Sequence, residues 1–83
     1  MDEYTGTITE VVAIKTKADE TMCFLIVESG DEAMEVVVFP RLVKHRKAVL
    51  KKGKTINAKG KFHTSEETDL KKLVADDIEE IMV

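Results

Sequence analysis

The chain has 83 residues, 43% hydrophobic and 35% charged, with a formal net charge of −3. That size bounds it to one small domain with a modest core, and the apolar fraction excludes a disordered tail. A lone cysteine, Cys23, excludes an internal disulfide and fits a reducing compartment, and apolar runs such as Met22–Val27 and Val36–Phe39 are far too short to span a bilayer.

Residues 7–16 are rich in β-branched side chains (Ile8, Val11, Val12, Ile14) and predict a first strand. Gly6 suits a strand that bends to serve both sides of a barrel. Lys17-Ala18-Asp19-Glu20 reads as a loop, residues 21–28 (TMCFLIVE) as a second strand, and Ser29-Gly30-Asp31-Glu32 as a turn. Residues 33–39 (AMEVVVF) complete a hairpin. Alternation sends Cys23, Leu25, Val27, Met34, Val36 and Val38 inward and leaves Phe24, Ile26, Glu28, Glu35 and Val37 outward. Phe39, beside Pro40, is expected to pack at the strand end, with a place in the outward row as the alternative.

Pro40 opens a helix whose apolar stripe is Leu42, Val43, Val49 and Leu50, with Gly53 as its stop. Residues 55–64 alternate strictly. Ile56, Ala58, Gly60 and Phe62 form an inward row, and Asn57, Lys59, Lys61 and His63 a wet one. Gly60 in the inward row predicts a bend or a close backbone approach. Ser65–Thr68 is a polar loop and residues 70–75 a fifth strand. Residues 76–83 are expected to continue irregularly, with Ile78 and Ile81 packing back.

The order β-β-β-α-β-β predicts an all-β fold: a five-stranded Greek-key barrel of the OB type, with one helix between strands 3 and 4. Another small α+β or SH3-like barrel is the alternative. The helix argues against the SH3-like form.

The net charge hides an uneven distribution. Residues 1–35 carry nine acids and two bases, residues 36–63 nine bases and no acid, and residues 64–83 seven acids and two bases. The basic middle is either a surface that attracts phosphates or a solvated face neutralised by its acidic flanks. His45 and His63 are 18 residues apart with no Cys or carboxylate in ligand spacing, so neither a metal nor a cofactor is expected. No nucleophile motif or Gly-rich phosphate loop is present, so no catalytic residue is assigned.

Several segments together resemble a known family. Gly6-Thr7-Ile8, Lys15-Thr16-Lys17, the run Met22–Glu28 and the run Met34–Pro40 occur in the order of the OB domain of the bacterial DNA polymerase III alpha subunit. Leu50–Gly53, Gly60 and Lys72-Leu73-Val74 match in type and spacing. The pattern also resembles the anticodon-binding OB domains of class II aminoacyl-tRNA synthetases. The chain departs from it at Glu28-Ser29, in the turn that follows, and at Asp19 and Glu20, which place acids beside the usual groove.

The resemblance implies a non-catalytic single-strand-binding module in a replicative polymerase. Residues 1–83 would be a single OB domain excised from a larger cytoplasmic DNA-directed DNA polymerase whose catalytic carboxylates lie elsewhere. Implied partners are single-stranded DNA, held weakly and without sequence specificity, and other domains of the parent. No membrane contact is expected, and the isolated domain is expected to be a monomer.

OB-folds bind single strands across strands 2 and 3, between the loops that join strands 1–2 and 4–5. Phe24 is the base-stacking candidate unless a register slip of one turns it into the core. The matching position in the synthetase domains stacks on a base. Lys15 and Lys17 at the first loop are candidate phosphate grips. Lys59, Lys61 and His63 either extend that track or simply solubilise the outer face of strand 4. The helix is expected to cap the barrel away from the groove, with its charge serving solubility or a neighbouring domain. A structural domain that docks on other proteins is the competing expectation.

Overall fold

The computed structural model describes residues 2–64 and 71–81, with the side chain of residue 64 excepted. Its strands are β1 (Asp2–Lys15), β2 (Thr21–Ser29), β3 (Glu32–Val38), β4 (Thr55–Thr64) and β5 (Lys71–Glu80), and a short helix α1 (Pro40–His45) lies between β3 and β4. They close into a barrel in the order β1-β2-β3-β5-β4, with β4 returning to β1. This is the all-β OB-fold barrel the element order predicts.

β1 is long because it serves two neighbours. Asp2–Thr7 pairs with β4, and Thr7–Lys15 pairs with β2. A bulge at Thr9 separates the halves. The extra residue turns the strand and resets its alternation, so Ile8 and then Val11 face the core, three residues apart. Gly6 lies where β1 passes close to the end of β2, and a Cβ there would fall 2.5 Å from the Glu28 carbonyl oxygen.

The β2–β3 hairpin turns at Gly30, whose φ of +62° is the left-handed conformation glycine adopts without strain. β3 then pairs in parallel with β5, among the described residues through three positions, Glu35/Lys72, Val36/Leu73 and Val37/Val74. β5 continues to Glu80 as one strand, where sequence predicts an irregular segment after Ala75. The reason is a second bulge, at Asp76, which changes the inward spacing from two (Leu73, Ala75) to three (Ala75, Ile78). Ile78 is fully buried as expected, whereas Ile81 is exposed. Leu70, the loop at 65–68 and the last two residues fall outside the described residues.

The helix is shorter than its apolar stripe predicts. It ends at His45, Arg46 leaves helical geometry (φ −121°, ψ 27°), and a 3-10 turn follows at Lys47–Val49. Residues 41–52 carry no acid to pair along the helix, and Lys44 and Lys47 would be like charges three apart. Val49 and Leu50 still pack against the core from the 3-10 turn.

Ile8, Leu25, Val27, Val36, Val38, Ile56, Leu73 and Ile78 fill the centre, all without solvent exposure. Cys23 joins them, and burial pushes its thiol pKa up, so it acts as a small hydrophobe. Tyr4 covers the hairpin end; burial first, and the Glu32 charge second, raise its phenol pKa.

Phe62 corrects the inward row. It has the inward alternation, yet it is 42% exposed. β1 begins at Asp2, opposite Gly60, so Phe62 pairs with Leu73 of β5 on one side but lies beyond the end of β1 on the other. Its backbone N–H donates to the Asp2 carboxylate instead (2.9 Å).

Candidate nucleic-acid interface

The register sets the outer face row by row. One row runs Val12 (β1), Phe24 (β2), Val37 (β3), Val74 (β5) and Lys61 (β4). The adjacent row runs Glu10, Ile26, Glu35, Lys72 and His63. On the other side, Ile14 pairs with Met22. Phe24 therefore points out of the barrel, since its neighbours Cys23 and Leu25 are buried, and its ring is half-buried.

Val37 corrects an expectation. It faces outward by alternation but is only 6% exposed. Its cross-strand neighbours are Phe24 and Val74, and directly opposed side chains on adjacent strands sit about 5 Å apart. Val37 is thus the covered floor of the face. The exposed apolar groups on the strands of this face are Val12 (47%) and Ile14 (43%) on β1, which the Thr9 bulge turns outward beside Phe24 and Met22.

The structure brings some of the candidate cations to this face and not others. Lys61 ends the Phe24 row, three strands away, which is roughly 14 Å at the usual spacing of strands. His63 ends the adjacent row. Lys59 lies further round the barrel, opposite Glu3 and Asp77, and its ammonium is 3.8 Å from the Glu3 carboxylate. Lys15 alternates to the opposite side from Ile14 and is 3.3 Å from Asp19. Lys17 is exposed at the turn of the first loop.

That loop is short and self-bonded. The Thr16 N–H donates to the Glu20 carbonyl (2.8 Å), and the Ala18 and Glu20 N–H groups donate to the Thr16 hydroxyl (3.3 and 3.4 Å). Sequence reasoning missed Lys72, which sits on the face between Glu35 and His63 and pairs with Glu35 at 3.4 Å. Strand alternation with Leu73 inward was the signal that would have found it.

Two clefts adjoin the face where β3 ends. One, of about 660 Å³, lies between α1 and β5 and is lined by Phe39, Arg41, His45, Arg46, Asp76 and Asp77 among others. The other, of about 420 Å³, lies where Glu20 of the first loop meets Pro40, Arg41, Lys44 and His45. The helix is therefore next to the groove loop, not remote from it as expected. Phe39, expected to pack at the strand end, is 48% exposed.

Arg46 clamps Asp77 with two hydrogen bonds (Nε–Oδ1 3.0 Å, Nη2–Oδ2 3.3 Å), and the Ile78 N–H adds a third to Oδ1 (2.9 Å). The Arg46 hydrogen bond is the main cause that holds the Asp77 carboxyl below its ordinary pKa. A carboxyl with a depressed folded pKa contributes stability above the unfolded value and loses it as pH falls through the folded value. Thermal melts at descending pH should therefore show Asp77→Asn losing less stability than wild type below the ordinary carboxylate range. The pair is partly solvated, so the difference will be small. Identical pH dependence in the two proteins would discount the clamp.

Among the described residues, no three His, Cys, Asp or Glu side chains come together as a metal site, and no helix is long and apolar enough to cross a membrane. Compared with known proteins, the chain matches no family model and no curated protein, so its own geometry carries the functional reading.

Proposed function

We propose that this chain is a non-catalytic single-strand-binding OB module, of the kind found in a replicative DNA polymerase alpha subunit, which holds template DNA weakly and without sequence preference. One observation carries the reading: Phe24 lies on the outer face of β2, on an apolar floor of Val37 and Val74, in a row that ends at Lys61. An aromatic ring presented this way stacks on any base, and a nearby cation meets a phosphate. The polymerase setting rests on the resemblance of the Met22–Glu28 and Met34–Pro40 runs.

The electrostatics favour weak binding. Lys72 is engaged by Glu35, Lys15 by Asp19 and Lys59 by Glu3, which leaves Lys61 and Lys17, of the candidate cations on the strands and first loop, with no ion pair among the described residues. Titrating labelled oligo-dT over a range of salt should give a shallow slope of log affinity against log salt, about −0.7 per phosphate neutralised. Two contacts predict about −1.4. A slope several times steeper would place the phosphate track elsewhere, and no binding at low salt would remove the reading.

A second reading has its own observation. Val12 and Ile14 add exposed apolar area beside Phe24, which suits docking on another protein domain. In that case oligo-dT does not bind, and a companion domain protects the face.

A further inference from the structure

We propose that the groove does not end at Phe24: Phe39 is a second base-stacking platform, and Arg41 with Lys44 grips the phosphate beside it. The inference rests on the single-strand reading above and extends it to a subsite on the helix side of the barrel.

The backbone puts the two rings on one face. β2 and β3 pair through Phe24/Val37 and Cys23/Val38, so the next position along the register sets Phe39 beside Met22. Phe39 keeps extended geometry (φ −72°, ψ 159°), so the alternation of β3 continues, with Val37 outward, Val38 inward and Phe39 outward. Phe39 is then the diagonal neighbour of Phe24, about 7–8 Å away between backbones, which is the reach over which aromatic side chains act together. One ring is half-buried on the sheet, and the other is 48% exposed at the mouth of the larger cleft.

The charges sort the occupant. The larger cleft has two guanidiniums, Arg41 and Arg46, and two carboxylates, Asp76 and Asp77, one of them clamped by Arg46. A cleft so balanced, with Leu42 and Ala75 as apolar lining, suits a neutral base and not a phosphate. Arg41 also lines the smaller cleft, with Lys44, and neither has an ion pair among the described residues. Their rim is where the backbone of that same nucleotide would run. Glu20 is the one carboxylate there.

The test is fluorescence anisotropy of oligo-dT in a series of lengths, with wild type, Phe24→Ala, Phe39→Ala and a double variant carrying Arg41→Gln and Lys44→Gln. Phe39→Ala should weaken the longer oligonucleotides by about tenfold and leave the shortest nearly unchanged, as loss of one stacked base does. On the longer oligonucleotides Arg41 and Lys44 add up to two phosphate contacts to those of Lys61 and Lys17, so the wild-type slope should reach about −2.8 there and the double variant should return it to about −1.4. Phe39→Leu keeps an apolar side chain at the strand end while removing the ring, so it separates stacking from a folding defect. If Phe24→Ala loses binding while Phe39→Ala and Phe39→Leu keep full affinity at every length, the subsite is wrong and the groove reading stands. If wild type binds no oligonucleotide at low salt, both fall.

Discussion

Phe24→Ala is expected to weaken oligo-dT binding by roughly 5- to 150-fold, the equivalent of about 1–3 kcal/mol for one base stacked on an aromatic ring. The size of the effect follows from position. Phe24 is the aromatic side chain at the centre of the β2 face, flanked by Val12 and Val37 in its row. The cations around it are few and mostly paired, so electrostatics cannot compensate. Because Phe24 also covers Val37, alanine there costs some stability. Phe24→Leu retains much of that cover and lacks the ring, so it should melt close to wild type while still losing affinity. Wild-type affinity in both variants would move the function to protein docking.

Gly60→Ala is expected to be the most damaging single substitution to the fold. A Cβ at Gly60 would sit 1.9 Å from the Val74 carbonyl oxygen, 2.8 Å from its carbonyl carbon and 2.9 Å from the Ala75 Cα. All three are backbone atoms of β5, next to its bulge, so no rotamer change relieves the clash. The strands must separate. Overpacking of this kind costs about 3 kcal/mol or more, against a total of about 5 kcal/mol at the low end for folded domains. The melting midpoint should drop by more than about 10 °C. Gly30→Ala is the comparison: its Cβ meets open space, and only the positive φ is strained, at about 1–2 kcal/mol. A Gly60→Ala midpoint equal to that of Gly30→Ala would refute the argument.

These two residues also mark what the sequence made legible. In β2 and β3 the alternation is uninterrupted, so Phe24 could be placed outward and Leu25 and Val36 inward from pattern alone. The inward row of β4 likewise announced the close approach at Gly60. The misses occur where one extra residue or one missing neighbour changes the geometry. Bulges at Thr9 and Asp76 turn an inward spacing of two into three, which at Asp76 reads in sequence as the end of a strand and at Thr9 leaves no mark in the β-branched run. Phe62 has the inward alternation but no β1 residue opposite it, and Val37 has the outward alternation but Phe24 and Val74 on either side of it. The candidate cations divide for the same reason. Alternation puts Lys59 and Lys61 on one side of β4, but only the register shows that Lys61 shares a row with Phe24 while Lys59 faces Glu3.

The three-position parallel pairing of β3 with β5 has a bearing on dynamics. Among the described residues it is the shortest joint between strands in the barrel, and so the natural place for local opening. Phe24 lies on one side of that joint and Lys61 on the other. A strand of nucleic acid held at both would act as a clasp across it, and each opening event would release the clasp. Affinity and closure of the barrel would then be linked, so that whatever tightens the joint between Val37 and Val74 also tightens the grip.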